Sequence, residues 1–187
     1  VTRRLNLGAG HAIIGDALNV DLTRHRPGID LAVDLNNLPW PWNDSSWDHI
    51  VAKAVFEHLR LSLLEAMDEC WRIIAPAGVL ELKLPYWRSE VSYNDPSHRY
   101  VVGLGVFDQF DPSTARGDYY SFYTERKWRK RRVFLNKGGT SVYAVLDVIK
   151  AAAPAAEKGE RSREAEPGSG GPADGDLRQP QPAEAPA

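Results

Sequence analysis

The chemistry-bearing residues of this 187-residue chain fall into a few short runs. Asn6-Leu7-Gly8-Ala9-Gly10 is a glycine turn, where missing side chains let backbone come close to a ligand; such turns also serve packing alone. Asp21 and Asp34 each close a strand-like run, where a carboxylate can accept hydrogen bonds from hydroxyl or amino groups. Glu57-His58 and Asp95-Pro96-Ser97-His98 pair acids with imidazoles. His98 is the better candidate for a general base, because an imidazole near its unperturbed pKa of about 6.5 accepts a proton at neutral pH. Asp-Pro-Ser-His is also ordinary turn chemistry, and His58 and Glu57 have the bland reading of a helix-side cap and a solvated acid. Glu57, His58, Asp95 and His98 could gather around a metal; nothing in the spacing requires it, and no metal is expected. Glu125 to Arg132 holds six basic residues around Trp128, either a phosphate-binding patch with a stacking residue or a solvated hairpin face.

The elements that must position these groups alternate strand-like and helix-like, the pattern of a parallel sheet with helices on its faces. Strands are predicted at Arg4–Leu7, Ala17–Leu22, Ile29–Val33, Trp47–Ala52 and Val79–Leu84. A helix is predicted from Ser62 to Ile74, because Leu63, Met67, Cys70, Trp71 and Ile74 share one face, with Pro76 and Gly78 as its stop. Ligands of open α/β sheets bind outside the carboxyl ends of the strands, which is where Asp21 and Asp34 fall. Beyond Pro85 the turn-rich segment reads as a long loop with a short helix near Val106–Phe110. Tyr119–Phe122 and Arg132–Leu135 are predicted strands of a terminal hairpin, and Ser141–Ile149 is left open between strand and helix. Trp40, Trp42, Tyr86, Trp87, Tyr93 and Tyr100 are expected to ring the ligand end of the sheet or to close the core.

Composition limits what these motifs can mean. Residues 1–150 form the expected domain, and 151–187, with Leu177 as its one large aliphatic and no aromatic, is an expected disordered tail. That tail carries four basic and seven acidic residues of a chain whose net charge is −2, so the domain sits near +1 and has no global nucleic-acid signature. One cysteine, Cys70, excludes a disulfide framework and a thiolate cluster. No apolar run approaches the length of a membrane span, and a cytoplasmic protein without membrane partners is expected. Residue 1 is valine, as in a processed or truncated chain.

The segment after the glycine turn discriminates between cofactors. A dinucleotide needs a helix starting at that turn to face its pyrophosphate, and only His11 to Leu18 separate Gly10 from Asn19. That space admits at most a shortened first helix and counts against NAD or ATP. S-adenosylmethionine has no phosphate and can be held by glycine backbone and carboxylates, with Asp21 on the ribose hydroxyls and Asp34, followed by Leu35, at the adenine edge.

LNLGAG, NVDL, DLNNLPWPWNDSSWDHIVAKAVFEHL and ECWRIIAPAGVLELKLPYW, in this order over residues 3–87, resemble the successive motifs of class I methyltransferases. Asn19-Val20-Asp21 with Asp95-Pro96-Ser97-His98 is similar to a compact, methyltransferase type 11-like subgroup. The resemblance implies an α/β, Rossmann-like, mostly parallel sheet of up to seven strands with a terminal antiparallel hairpin, and S-adenosylmethionine as methyl donor. It places Asn6, Gly8, Gly10, Asp21, Leu22, Asp34, Leu35 and His58 at the cofactor and Glu57 with His98 on the acceptor side. Asn6 stands where the family more often has an acid. The implied reaction is methylation of an oxygen or nitrogen of a small-molecule or glycan-like acceptor. Two further readings stay open: a methyltransferase-like module that binds without turnover, and a nucleic-acid methyltransferase using the 125–132 patch. Base-amino methylation of DNA is not supported, since Leu84-Pro85-Tyr86-Trp87 comes one strand too late. The oligomeric state is not legible.

Overall fold

The computed structural model describes residues 2–150; the expected tail, 151–187, lies outside them. Seven strands form one sheet in the order β3-β2-β1-β4-β5-β7-β6. They are β1 Arg4–Leu7, β2 Leu18–Asp21, β3 Leu31–Ala32, β4 Trp47–Lys53, β5 Ile74–Pro85, β6 Lys127–Leu135 and β7 Ser141–Ile149. β1 to β5 run parallel, and β7 lies antiparallel between β5 and β6. This is the mostly parallel sheet with a terminal hairpin that the sequence implies.

The register assigns each strand residue to a face. Leu5, Leu7, Val20, Ile50, Ala52, Leu80, Leu82, Ala144 and Leu146 fall on one face and are buried in a single core cluster. Helix α1, Leu63–Ile73, covers this face with Ala66, Met67, Cys70 and Ile73. Burying a side chain the size of Met67 or Ile73 contributes about 1.5–3 kcal/mol. Ser62 starts the helix through a capping box, its hydroxyl accepting from the Glu65 N–H at 3.2 Å while the Glu65 carboxylate accepts from the Ser62 N–H at 2.8 Å. The other face alternates as a solvated one: His49, Lys53, Glu81, Lys83, Tyr143, Val145 and Asp147 stay partly exposed. Helices on both faces are therefore not what forms. Residues 8–17, 22–30 and 33–46 connect the first four strands without a helix.

The first connection shows the reason most clearly. The expected shortened helix after Gly10 is absent, and residues 11–17 are turns. Their backbone groups are satisfied by two asparagine side chains paired across β1 and β2. The Asn19 amide donates to the carbonyls of Ile14 and Ala17 at 2.9 and 3.0 Å and accepts from the Ile14 N–H at 2.9 Å. Asn6 donates to the Ala12 carbonyl at 2.8 Å and to Asn19 Oδ1 at 2.9 Å. Buried amides replace the internal bonds of a helix.

Other boundaries move for identifiable reasons. β3 spans two residues rather than Ile29–Val33, although Asp30 and Val33 still donate to β2 carbonyls at 2.8 Å. β5 begins at Ile74, five residues earlier than predicted: Pro76 and Gly78 do not stop the helix but lie in an irregular strand start. There Ala77 has φ +63° and the pairing with β4 shifts register. Tyr119–Phe122 is not a strand. It joins helix α2, Ala115–Tyr119, to the 3-10 turn Ser121–Tyr123, and the hairpin is built by β6 with Ser141–Ile149 instead. Thr114 caps α2 by accepting from the Gly117 N–H at 2.9 Å, a local signal that overrides the aromatic β-propensity.

Candidate active site

The carboxyl ends of β1, β2 and β4 open into a cleft of about 330 Å³ lined by Gly8, Gly10, Asp21, Leu22, Val33, Asp34, Leu35, Asn36, Ala54, Val55, His58 and Leu59. Gly8 and Gly10 both have left-handed backbone, φ +60° and +49°. A Cβ on Gly8 would stand 2.4 Å from Val55 Cγ2, so glycine is required where β1 ends against the segment after β4. Gly10 aims its N–H at Asp21 Oδ2, 2.7 Å away, and the Leu22 N–H holds Oδ1 at 2.7 Å. Asp21 is thus fixed at the cleft wall with lone pairs left to accept from a diol. Leu22 beside it is 61% exposed, an apolar surface available to a flat ligand.

Asp34 is organised locally. Its Oδ1 accepts from the backbone and side-chain N–H groups of Asn36 at 3.0 and 2.9 Å, and its Oδ2 from Asn37 at 3.2 Å. The Asn36 bonds, backbone first, hold its carboxyl below the ordinary range. Asn36 Oδ1 also accepts from the Arg60 N–H at 2.6 Å, tying this wall to the segment after β4.

A second cavity of about 200 Å³ lies at the ends of β4, β5 and β7, lined by Ala54, Glu57, Lys83, Leu84, Pro85, Val91, Ser92, His98, Thr140 and Ser141. Ala54, which lines both cavities, has φ +56°, strained backbone for a residue with a Cβ. Glu57 and His58 occupy the 3-10 turn Phe56–His58, which follows it after Val55. The loop 86–102 folds back on this turn. The Val102 N–H donates to the Pro85 carbonyl at 2.9 Å, and the Arg99 N–H to the Glu57 carbonyl at 2.8 Å. His58 Nδ1 and Ser97 Oγ are 2.7 Å apart, and the His58 and His98 ring centres 4.8 Å apart. Glu57 is buried with Oε2 unpartnered, and burial pushes its carboxyl above the ordinary range. Burial, then His98, lowers the His58 imidazole.

Most of the expected residues converge. Gly8, Gly10, Asp21, Leu22, Asp34, Leu35 and His58 share the first cleft, and Glu57 and His98 the second. Asn6 lines neither; it is buried beneath the glycine turn and braces it. The aromatic ring divides. Trp40 is buried in the core, its backbone N–H on Glu69 at 2.7 Å and its indole on the Leu35 carbonyl at 3.0 Å, while Trp87 and Tyr93 stay exposed. Trp128 is fully buried, so it cannot be the stacking residue of the 125–132 patch. Its alternation within β6 sends it to the core, Lys130 pairs with Asp108, and Arg131 pairs with Asp147. The lining residues that sequence reasoning missed include Val33, Asn36, Ala54, Val55 and Leu59 in the first cleft and Lys83, Ser92, Thr140 and Ser141 in the second. Asn36 was findable from Asp34-Leu35-Asn36-Asn37, because Asx turns close on the residue two positions on. Ser141 carried no signal while its strand was unassigned.

Residues 17–82 match a family described as a methyltransferase domain. No curated protein matches the chain significantly. Among solved structures, the YcgJ protein of Bacillus subtilis is similar over 81% of this chain and 93% of its own, with 15% identity and TM-score 0.53. A SAM-dependent methyltransferase from Aquifex aeolicus covers 79% of this chain and 82% of its own at 14% identity and TM-score 0.52. The trans-methyltransferase CalH, complexed with SAH, covers 79% and 51% at 12% identity and TM-score 0.56. At such identities the likeness is one of fold. No helix among the described residues is long and apolar enough to cross a membrane. Residues 17–82, from the start of β2 into β5, thus match a methyltransferase domain, and the seven-stranded sheet shares its fold with solved SAM-dependent methyltransferases.

Proposed function

We propose that this protein transfers the methyl group of S-adenosylmethionine to an oxygen or nitrogen of a small-molecule or glycan-like acceptor. The supporting observation is that a cleft with a fixed carboxylate and a smaller cavity that Glu57, Lys83 and His98 help to line meet at Ala54. In this reading Asp21 accepts from the two ribose hydroxyls, and the adenine lies among Leu22, Val33, Leu35 and Leu59 with Asp34 at its edge. The glycine turn takes the methionine end.

Methyl transfer is an in-line displacement on a carbon already activated by the sulfonium, so alignment is the main task and a base for the acceptor's proton the second. His98 is the proton acceptor in this scheme. Its Nδ1 faces the Ser92 carbonyl at 2.8 Å and must carry a hydrogen there, which leaves Nε2 with a free lone pair. Glu57 and His58 flank it. The volume of the second cavity suits one functional group of an acceptor rather than a polymer.

Calorimetric titration of S-adenosylmethionine into the protein and into Asp21→Ala tests the donor site. Saturable binding weakened at least tenfold, about 1.4 kcal/mol, is the expected result. Equal affinity in both proteins would remove Asp21 from the site.

A further inference from the structure

We propose that Glu57, His58 and His98 bind a divalent transition-metal ion of the zinc type, which holds and acidifies an acceptor hydroxyl. This rests on the methyltransferase reading above and narrows the acceptor to an oxygen nucleophile.

One ligand atom from each of the three residues lies within 4.8 Å of the others. Glu57 is 2% exposed, and its buried Oε2 has no hydrogen-bond partner, so this residue of the group holds a carboxylate oxygen that nothing from the protein satisfies. An orphaned buried carboxylate oxygen is costly unless something binds it.

The hydrogen bonds behind the imidazoles supply an independent argument. His98 Nδ1 meets the Ser92 carbonyl, which can only accept. His58 Nδ1 meets Ser97 Oγ, and the Ser97 hydroxyl already donates to Asp95 Oδ1 at 2.6 Å, so Ser97 accepts from His58. Both rings are therefore fixed as Nδ1–H tautomers with Nε2 lone pairs free. Metal-binding histidines are oriented in this way, the second ring nitrogen donating to a carbonyl or toward a carboxylate. Two imidazoles and one carboxylate form a three-ligand set that leaves further positions open for substrate.

The charges nearby are mixed. Asp95 lies behind Ser97, and Lys83 lines the same cavity and opposes a cation. Tyr100, whose buried hydroxyl lacks a partner, is held neutral by burial and by Glu57. Imidazole ligands favour transition metals over magnesium or calcium, which prefer oxygen.

With the ion bound, His98 is a ligand and the metal takes over the task given to His98 above. The acceptor hydroxyl coordinates through oxygen and loses its proton to solvent. The oxygen lone pair then forms the new C–O bond as the S–CH3 bond breaks, its electron pair returning to sulfur. The products are the methyl ether and S-adenosylhomocysteine.

The test uses the full chain after chelator dialysis, titrated with Co2+ and followed by its visible absorption, then with Zn2+ as competitor. Saturable one-to-one uptake, displaced by Zn2+, is expected. His58→Ala and His98→Ala should each weaken it at least tenfold, and His25→Ala should leave it unchanged. Should a variant fail to fold, nitrogen chemical shifts of the wild-type histidines decide: on Zn2+ addition the Nε2 signals of two rings move and the Nδ1 protons remain. No stoichiometric uptake by the intact protein, or uptake indifferent to both substitutions, overturns the site. Titrating S-adenosylmethionine into the same samples separates the two readings. Donor binding without metal uptake removes the metal alone, and metal uptake without donor binding removes the methyltransferase reading alone.

Discussion

Gly8→Ala is expected to destabilise the protein and close the donor cleft by the same movement. At φ +60° a residue with a Cβ pays roughly 1–2 kcal/mol in backbone strain. The added methyl would also stand 2.4 Å from Val55 Cγ2 and 2.6 Å from Val55 Cβ, overlaps that no rotamer of Val55 removes. Overpacking of this kind costs about 1–3 kcal/mol, so the sum is about 2–5 kcal/mol. Val55 precedes the turn that carries Glu57 and His58 and itself lines the cleft, so the displacement reaches the ligand site. Urea denaturation followed by tryptophan fluorescence measures the first effect and calorimetry with S-adenosylmethionine the second. The steric share is separable. Val55→Ala removes the Cγ contacts but keeps the Cβ one, whereas Val55→Gly removes both. In double-mutant cycles the coupling with Gly8→Ala should therefore be larger for Val55→Gly than for Val55→Ala, with coupling on the order of 1–3 kcal/mol. Coupling within about 0.5 kcal/mol of zero for both pairs would refute the proposed contact.

Asn19→Leu leaves the Ile14 N–H and the Ala17 carbonyl without their partners, while the Ile14 carbonyl keeps the Ala17 N–H at 3.2 Å, and at about 1–3 kcal/mol per unsatisfied group a loss of about 2 kcal/mol or more is expected in urea. Hydrogen exchange should quicken at Ile14 first; protection unchanged there would sink the account of the helix-free connection. His49 tests a pH dependence remote from the site. Burial, against the pull of Glu81, lowers its folded-state pKa below the ordinary 6.5. Just below that value only the unfolded chain takes up the proton, so the stability His49 contributes is intact above about pH 6.5 and declines as pH falls through the folded value. His49→Gln should flatten the stability profile in this window, and a profile as steep as that of the unaltered protein would show that His49 is not responsible.

The fold was legible where local signals and burial agreed. The one-sided apolar spacing of Leu63, Met67 and Cys70 marked α1 and the face that meets the sheet. β1 ended at Leu7 before the glycine turn and β2 on Asp21, one residue short of its predicted run, while β4 ran to Lys53, one residue past its predicted end; strands buried on the core face read as short apolar runs. What misled was local chemistry with two physical uses. Pro76 and Gly78 serve a helix stop or an irregular strand start equally well, and only pairing with β4 decided between them. Tyr119 to Phe122 has strand composition, but a Thr114 cap upstream turned it into helix.

By itself the sequence determined the glycine turn, the two acidic strand ends and the amphipathic helix, since each depends on contacts within a few residues of chain. It also named Glu57, His58 and His98 without being able to join them. Tertiary structure alone decided that the loop 86–102 closes on the turn after β4, through Arg99 and Ser97, and so brings His98, 41 positions from Glu57, into its reach. It decided too that Trp128 faces the core and that Asn6 is buried beneath the turn, donating to the Ala12 carbonyl. These outcomes depend on which face of the sheet a side chain takes and on which distant backbone satisfies it, and neither is encoded in short-range spacing.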